Sequence, residues 1–177
     1  MVTLTNNLLS ILTVAAQVII VILIVSLITR RKNILNFFIK HSFLFSFIIA
    51  LTATAGGLFY SEIAHYEPCK LCWFQRIFMY PQTIILFMAL KRKDGNIRLY
   101  ILAMSVIGAL IAGYHYLLQL GVFHGDCAAV GYSVSCSQRF VLQFGYLTIP
   151  LMALTAFVLI SILMGIQRKK VIKLVRR

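Results

Sequence analysis

The chain is 177 residues long, 61% of them hydrophobic and 12% charged, with a mean hydropathy of +0.93. A soluble domain carries roughly 45–50% apolar and about 25% charged residues, so this chain lacks the polar surface to shield itself in water, and it is far too hydrophobic for disorder. Its net charge of +13, from 17 Lys and Arg against four Asp and Glu, would suggest nucleic acid in a soluble domain. Here the basic residues sit in short clusters between apolar runs, which is the pattern of membrane topology.

A helix needs about 20 apolar residues to cross the hydrocarbon core. Five stretches meet that length: residues 8–28, 43–60, 73–90, 99–120 and 146–166. The first is interrupted only by Ser10, Thr13, Gln17 and Ser26. No basic residue precedes it, and it is longer than a signal-peptide core, so it reads as a retained span. Gln17 reads as a helix–helix contact. The third stretch opens with Gln75 and Arg76. Strand-like alternation is absent, and the expected fold is an all-α integral membrane bundle.

Arg30, Arg31, Lys32 and Lys40 lie between the first two spans. Lys91, Arg92, Lys93 and Arg98 lie between the third and fourth. Arg168, Lys169, Lys170, Lys173, Arg176 and Arg177 follow the fifth. All of these fall on one side, whereas Lys70, Arg76 and Arg139 fall on the other or at its boundary. The positive-inside rule makes the richer side cytoplasmic, with the N-terminus outside and the C-terminus inside. The basic, amphipathic tail over 167–177 suits anionic headgroups.

The four cysteines, Cys69, Cys72, Cys127 and Cys136, all fall in the two outside loops, two in each. Disulfides persist in that compartment, and the even count suggests two redox pairs. Cys69-Lys70-Leu71-Cys72 is a C-x-x-C abutting the third span. Cys72 is therefore expected at a helix N-terminus, where free N–H groups and the helix dipole favour a thiolate. Cys127 and Cys136 flank a loop of small and polar residues that can bend to close a disulfide and admit a soluble partner. Two structural disulfides are the plain alternative. A four-cysteine zinc site fits the first spacing but not the second, so no metal is expected.

Arg76 follows Cys72 by one helical turn. An arginine there is costly in lipid unless it snorkels or has a task; the task would be to favour the Cys72 thiolate and a negatively charged acceptor. His115 lies near the outer end of the fourth span, in the same layer. Gly108 and Ala112 share its face, and Ser105, Ala109 and Gly113 form a stripe of small residues. These suit close helix packing or, equally, leave room beside the histidine for a flat ring.

The run from Glu67 through Cys69, Cys72, Trp73, Gln75 and Arg76 to Pro81 resembles the signature of the disulfide bond formation protein B (DsbB) family, nearest its Gram-positive BdbC-like branch. Gly113-Tyr114-His115, the second cysteine pair and the stretch from Gly145 to Pro150 are similar too. The resemblance covers 39–166. It implies a four-helix redox bundle there, preceded by an extra N-terminal helix and basic loop over 1–38 and followed by the tail at 167–177. It further implies a bacterial plasma-membrane protein-disulfide:quinone oxidoreductase that reoxidises an extracytoplasmic thioredoxin-fold thiol oxidase of the DsbA or BdbD kind. The electrons would pass to menaquinone or ubiquinone.

Residue by residue, the resemblance implies that Cys127 forms the mixed disulfide with the partner and that Cys136 is its pair. Cys69–Cys72 is then the quinone-proximal pair, with Cys72 touching the ring, Arg76 supporting the thiolate and His115 lining the quinone site. Three departures stand out. The first span has no assigned role. Gln75 replaces the acid of better-known members. The loop between Cys127 and Cys136 is shorter than theirs. A vitamin K epoxide reductase type of quinone enzyme and a non-enzymatic scaffold with two disulfide-pinned loops remain as alternatives.

Overall fold

In lipid each crossing segment must satisfy its own backbone hydrogen bonds, and each of the five apolar runs forms a helix. The computed structural model describes residues 2–92, 94–122 and 136–175, with the side chains of the last helix as far as residue 167. The helices are α1 (Val2–Ile28), α2 (Lys32–Lys40), α3 (Ser42–Leu58), α4 (Lys70–Arg92), α5 (Arg98–Gln119) and α6 (Ile149–Val175); α3 continues into a π-helical turn, Phe59–Ile63. Among the described residues there is no strand, only an isolated bridge between Gln143 and Leu147.

Among the described residues, four segments are long and apolar enough to cross a membrane: Val2–Ile28, Ser42–Ile63, Arg98–Gln119 and Ile149–Gln167. α4 has the length, at 23 residues, but carries Gln75, Arg76, Pro81 and Gln82. Its polar side chains turn inward: Gln75 and Gln82 are both buried. α4 packs between α3 and α5, and α6 packs against α5 and α3. These contacts close a ring of four helices, α3 to α6, around Leu86, Ile101, Phe157, Ile160 and Met164.

Lipid supplies no hydrophobic drive between helices, so close packing and interhelical hydrogen bonds hold the ring. Thr54 and Thr83 join α3 to α4 at 2.9 Å. Ser105 donates to Gln82 Oε1 at 2.8 Å, and Gln167 Nε2 donates to Ser42 Oγ at 2.6 Å. The space beside Gly108 is filled by Phe157 of α6. A Cβ on Gly108 would lie 2.4 Å from that ring, so at this position the small residues serve packing and hold no vacant slot for a flat ligand.

α1 stands outside the ring. It packs on α6 and, more lightly, on α2. Its polar interruptions mark the face it turns inward: Ser10, Thr13 and Ser26 are buried along with Leu23. Leu23 meets Leu159, Leu163 and Ile166. Gln17 Oε1 accepts from Tyr146 Oη at 3.1 Å, so its partner lies in the turn before α6 rather than on a helix as expected.

Two local features were not expected. The basic connection after α1 contains the short α2, whose Leu35, Phe38 and Ile39 pack against the α1–α6 seam while its lysines stay exposed. The last helix starts at Ile149 rather than 146. Phe144 and Gly145 both have positive φ, 52° and 78°, as in a type I′ turn, and Tyr146 N–H returns to Gln143 O at 3.3 Å. α5 ends more conventionally. Gly121, at φ 77°, donates to Leu118 O, and Val122 N–H reaches Leu117 O, which is a Schellman motif with glycine at its left-handed position.

Candidate functional site

Cys69 immediately precedes α4, and Trp73 N–H makes the first helical bond to its carbonyl at 3.1 Å. Its sulfur accepts from Cys72 N–H at 3.4 Å, the side-chain-to-N3 bond of a helix N-cap. The helix thus starts two residues earlier than the C-x-x-C alone suggests, and the sulfur held at its N-terminus is that of Cys69, not Cys72. The two sulfurs lie 3.2 Å apart in thiol–thiol contact, and both cysteines are free.

Cys69 is 4% exposed, and burial alone would raise its pKa. The hydrogen bond with Cys72 outweighs that, and contact with His115 adds to it; together they hold the Cys69 thiol far below its ordinary range, at about 4. In the reduced pair these contacts favour the thiolate at Cys69 over Cys72.

His115 of α5 is 2% exposed and sits between the two cysteine pairs. Its Nδ1 meets Gln75 Nε2 at 3.0 Å. With that amide donating, the imidazole carries its proton on Nε2. Nε2 lies 3.1 Å from Cys136 O and 3.6 Å from Cys69 Sγ. It therefore ties the Cys136 backbone to the Cys69 sulfur. Ligand atoms of Cys69, His115 and Cys136 all fall within 4.8 Å of one another. Cys136 is in a disulfide and both ring nitrogens of His115 are engaged in hydrogen bonds, so as they stand these three residues do not present a metal with three free lone pairs.

The loop carrying Cys136 is anchored to the end of α5. Gln119 Nε2 donates to Gln138 O at 3.0 Å. Arg139 donates through Nε at 3.1 Å and also through Nη2 to Gln119 O. A guanidinium on a C-terminal carbonyl suits the negative end of the helix dipole. Neither Gln75 nor Arg139 was singled out by the sequence as a site residue. Their partners lie on other elements, and only the polarity of Gln75 inside an apolar run hinted at an inward role.

Cys72 and Arg76 face a different space. Both line an apolar cavity of about 370 Å³ between α1, α3, α4 and α6. His115 does not line it; with Cys69, Cys72 and Cys136 it borders a small neighbouring space. Arg76 is half-buried and tied to α3 and the turn that follows it. Its Nη2 donates to Gly57 O at 3.1 Å and to Ser61 Oγ, and its guanidinium lies 5.5 Å from the Trp73 ring centre. The π-helical turn brings Ser61 within that reach, and such turns often accompany functional sites.

At the same end Tyr60, Tyr66 and Phe140 line the cavity as a stack. Tyr60 and Tyr66 are 5.8 Å apart with rings 13° from parallel, and Tyr66 and Phe140 are 5.0 Å apart at 15°. Tyr60 and Tyr80 also line the cavity, and their buried hydroxyls have no hydrogen-bond partner. Leaving a buried donor unmatched costs about 1–3 kcal/mol. One guanidinium, two unmatched phenols and a flat aromatic stack beside Cys72 fit a neutral planar ring with carbonyl oxygens. Glu67 and Gln75 also border the cavity, and the remaining lining is mostly apolar and fits an apolar chain. Cys127, the fourth predicted cysteine, lies outside the described residues, as does Lys93.

Residues 39–167 match the protein family described as disulfide bond formation protein DsbB. A probable disulfide formation protein C of Halalkalibacterium halodurans is 45% identical over 124 residues, 70% of this chain and 90% of that relative. In Bacillus subtilis, an SPbeta prophage-derived disulfide bond formation protein B is 43% identical over 136 residues, 77% of this chain and 89% of the relative. A disulfide bond formation protein C of the same organism is 45% identical over 120 residues, 67% of this chain and 86% of the relative. No solved structure matches the chain.

Proposed function

The chain belongs to the DsbB family of disulfide bond formation proteins, and from that premise we propose that this multi-pass membrane protein reoxidises an extracytoplasmic thioredoxin-fold thiol oxidase and passes the electrons to a membrane quinone. The reading places the N-terminus and both cysteine pairs outside and the C-terminus in the cytoplasm. The observation that carries it is the junction at His115. Cys69 and Cys136, one from each pair, meet there, while Cys72 opens onto the apolar cavity.

Exchange needs a thiolate attacking a disulfide sulfur. A partner thiolate attacks Cys127 of the Cys127–Cys136 disulfide, and Cys136 leaves as a thiolate. The second partner thiolate then displaces Cys127, and the partner departs oxidised. Cys136 attacks the Cys69 sulfur of Cys69–Cys72; a Cys69–Cys136 bond forms and Cys72 leaves carrying the electron pair. Cys127 then attacks Cys136 and expels Cys69. A low-pKa thiol leaves faster, so the hydrogen bonds that hold down the Cys69 pKa assist this last step.

His115 keeps the Cys136 backbone and the Cys69 sulfur in register. Arg76 supplies fixed positive charge beside Cys72 in a water-poor space, where it acts more strongly than in water. When bound, the quinone takes up two electrons and two protons and so regenerates the Cys69–Cys72 disulfide. Anaerobic turnover tests the proposal: purified protein is mixed with a reduced thioredoxin-fold oxidase and a quinone, and the quinone absorbance is followed. Bleaching matched by partner oxidation is expected. Unchanged absorbance with inert disulfides would leave a membrane scaffold.

A further inference from the structure

α1 lies outside the residues that match the family, which begin at 39, yet it forms one whole side of the apolar cavity through Leu9, Leu12, Thr13, Ala16 and Ile19. Across from it stand Ile48, Thr52 and Gly56 of α3. α1 and α3 approach at Leu9, whose Cδ1 would sit 3.2 Å from a Cβ on Gly56. The main packing of α1 is instead on α6, which leaves the cavity between the two helices.

The cavity has a direction. Gly57, next to Gly56, accepts the Arg76 hydrogen bond, so the Leu9 level is the polar end, with Cys72, Tyr60 and Tyr80. From Leu9 to Ile19 the wall runs roughly 15 Å along the helix axis toward Phe38, Phe45 and Leu163, and the residues there are apolar. Leu12 and Ile48, which border it, are 45% and 48% exposed, so neither is sealed off by protein. That places a lateral opening toward lipid between α1 and α3.

We propose that α1 is the tail wall of the quinone site. The ring lies at the end bearing Tyr60, Arg76 and Cys72, an isoprenoid tail lies along Leu9 to Ile19, and the ligand enters sideways between α1 and α3. This rests on the quinone reading above. The occupant is a quinone rather than a phospholipid because the polar end offers two neutral phenols, the Glu67 carboxylate, and a single guanidinium and a Gln75 amide that are both already bonded to protein; the carboxylate would repel a phosphate. Those donors match carbonyl oxygens, and they form no cradle for a phosphate. A redox-active cysteine at the same end has no use for a phospholipid.

The protein has one tryptophan, Trp73, which lies against Arg76 and reports a bound ring by fluorescence quenching, independently of turnover. The probes are a long-tailed menaquinone and menadione, which has the same ring without the tail. Ala16→Phe fills the middle of the wall. The affinity ratio of the long-tailed to the tailless quinone is expected to fall at least tenfold. An unchanged ratio would overturn the proposal.

Ala16 also packs near α6, and a misfolded variant would not report. Unmutated protein is therefore labelled in parallel with a menaquinone carrying a diazirine at its tail end. Adducts within 9–19, competed by menaquinone and not by phosphatidylglycerol, are expected. Adducts scattered over outward residues such as Ile84 and Leu110, or competition by the phospholipid, would show a lipid-filled groove and refute the role of α1. If unmutated protein quenched with neither quinone, the quinone reading would fall and this proposal with it. If both quinones bound but α1 took no label, only this proposal would fall.

Discussion

Replacing His115 with alanine separates the two halves of the junction. Its Nε2 reaches Cys69 Sγ at 3.6 Å, and a hydrogen bond to a charged group contributes about 1.5–3 kcal/mol. One pH unit corresponds to about 1.36 kcal/mol, so losing the contact should raise the Cys69 titration midpoint by about one unit, the lower bound, because contacts to sulfur are long. The sign follows from the direction of the shift. The folded thiol titrates at about 4, far below its ordinary range, so the thiolate survives at neutral pH and is lost only on acidification. Removing a donor moves that loss to higher pH. Cys72→Ala removes the largest contribution and should move it further, whereas His115→Gln, which keeps a donor, should recover part of the shift. Thiolate ultraviolet absorbance against pH, in a Cys127→Ser, Cys136→Ser background, reads the midpoint. Identical midpoints with and without His115 would refute the argument.

Gly108→Ala should lower the thermal unfolding midpoint in detergent, because the new methyl lies 2.4–2.7 Å from Phe157 ring atoms and overpacking costs about 1–3 kcal/mol; adding Phe157→Leu should restore it, and an unchanged midpoint would contradict the packing. Tyr60→Phe removes a hydroxyl that has no partner, so quinone-free protein should become more stable by about 1 kcal/mol while quinone affinity falls; calorimetry with and without quinone reads both signs. Arg76→Met should weaken quinone binding about tenfold or more, given a charge-assisted bond of roughly 1.5–3 kcal/mol, and Arg76→Lys should weaken it less. Equal affinities in a Trp73 quenching titration would remove Arg76 from the site.

The crossing helices were legible because hydrocarbon thickness imposes a length that apolar runs either meet or miss. α2 was not, since nine residues bracketed by basic residues read as a charged connection until α1 and α6 provide a surface for Leu35 and Phe38. The four cysteines and Arg76 stood out by residue type and spacing. Which cysteine caps the helix did not, because it depends on α4 starting at Lys70, two residues ahead of the apolar run. His115 was placed in the right layer, but its partners Gln75 and Cys136 lie 40 and 21 residues away on elements whose mutual rotation no local pattern encodes. The small polar residues of α1 marked its packed face; which helix they faced, and the cavity left beside them, emerged only in three dimensions.

The central claim is that the two redox pairs communicate through Cys69 and Cys136. In a Cys72→Ala, Cys127→Ala protein these are the two cysteines that remain. Mild oxidation of the detergent-solubilised protein followed by peptide mass mapping should find a Cys69–Cys136 disulfide within one chain. Free thiols at both positions, or disulfides formed only between chains, would contradict the account.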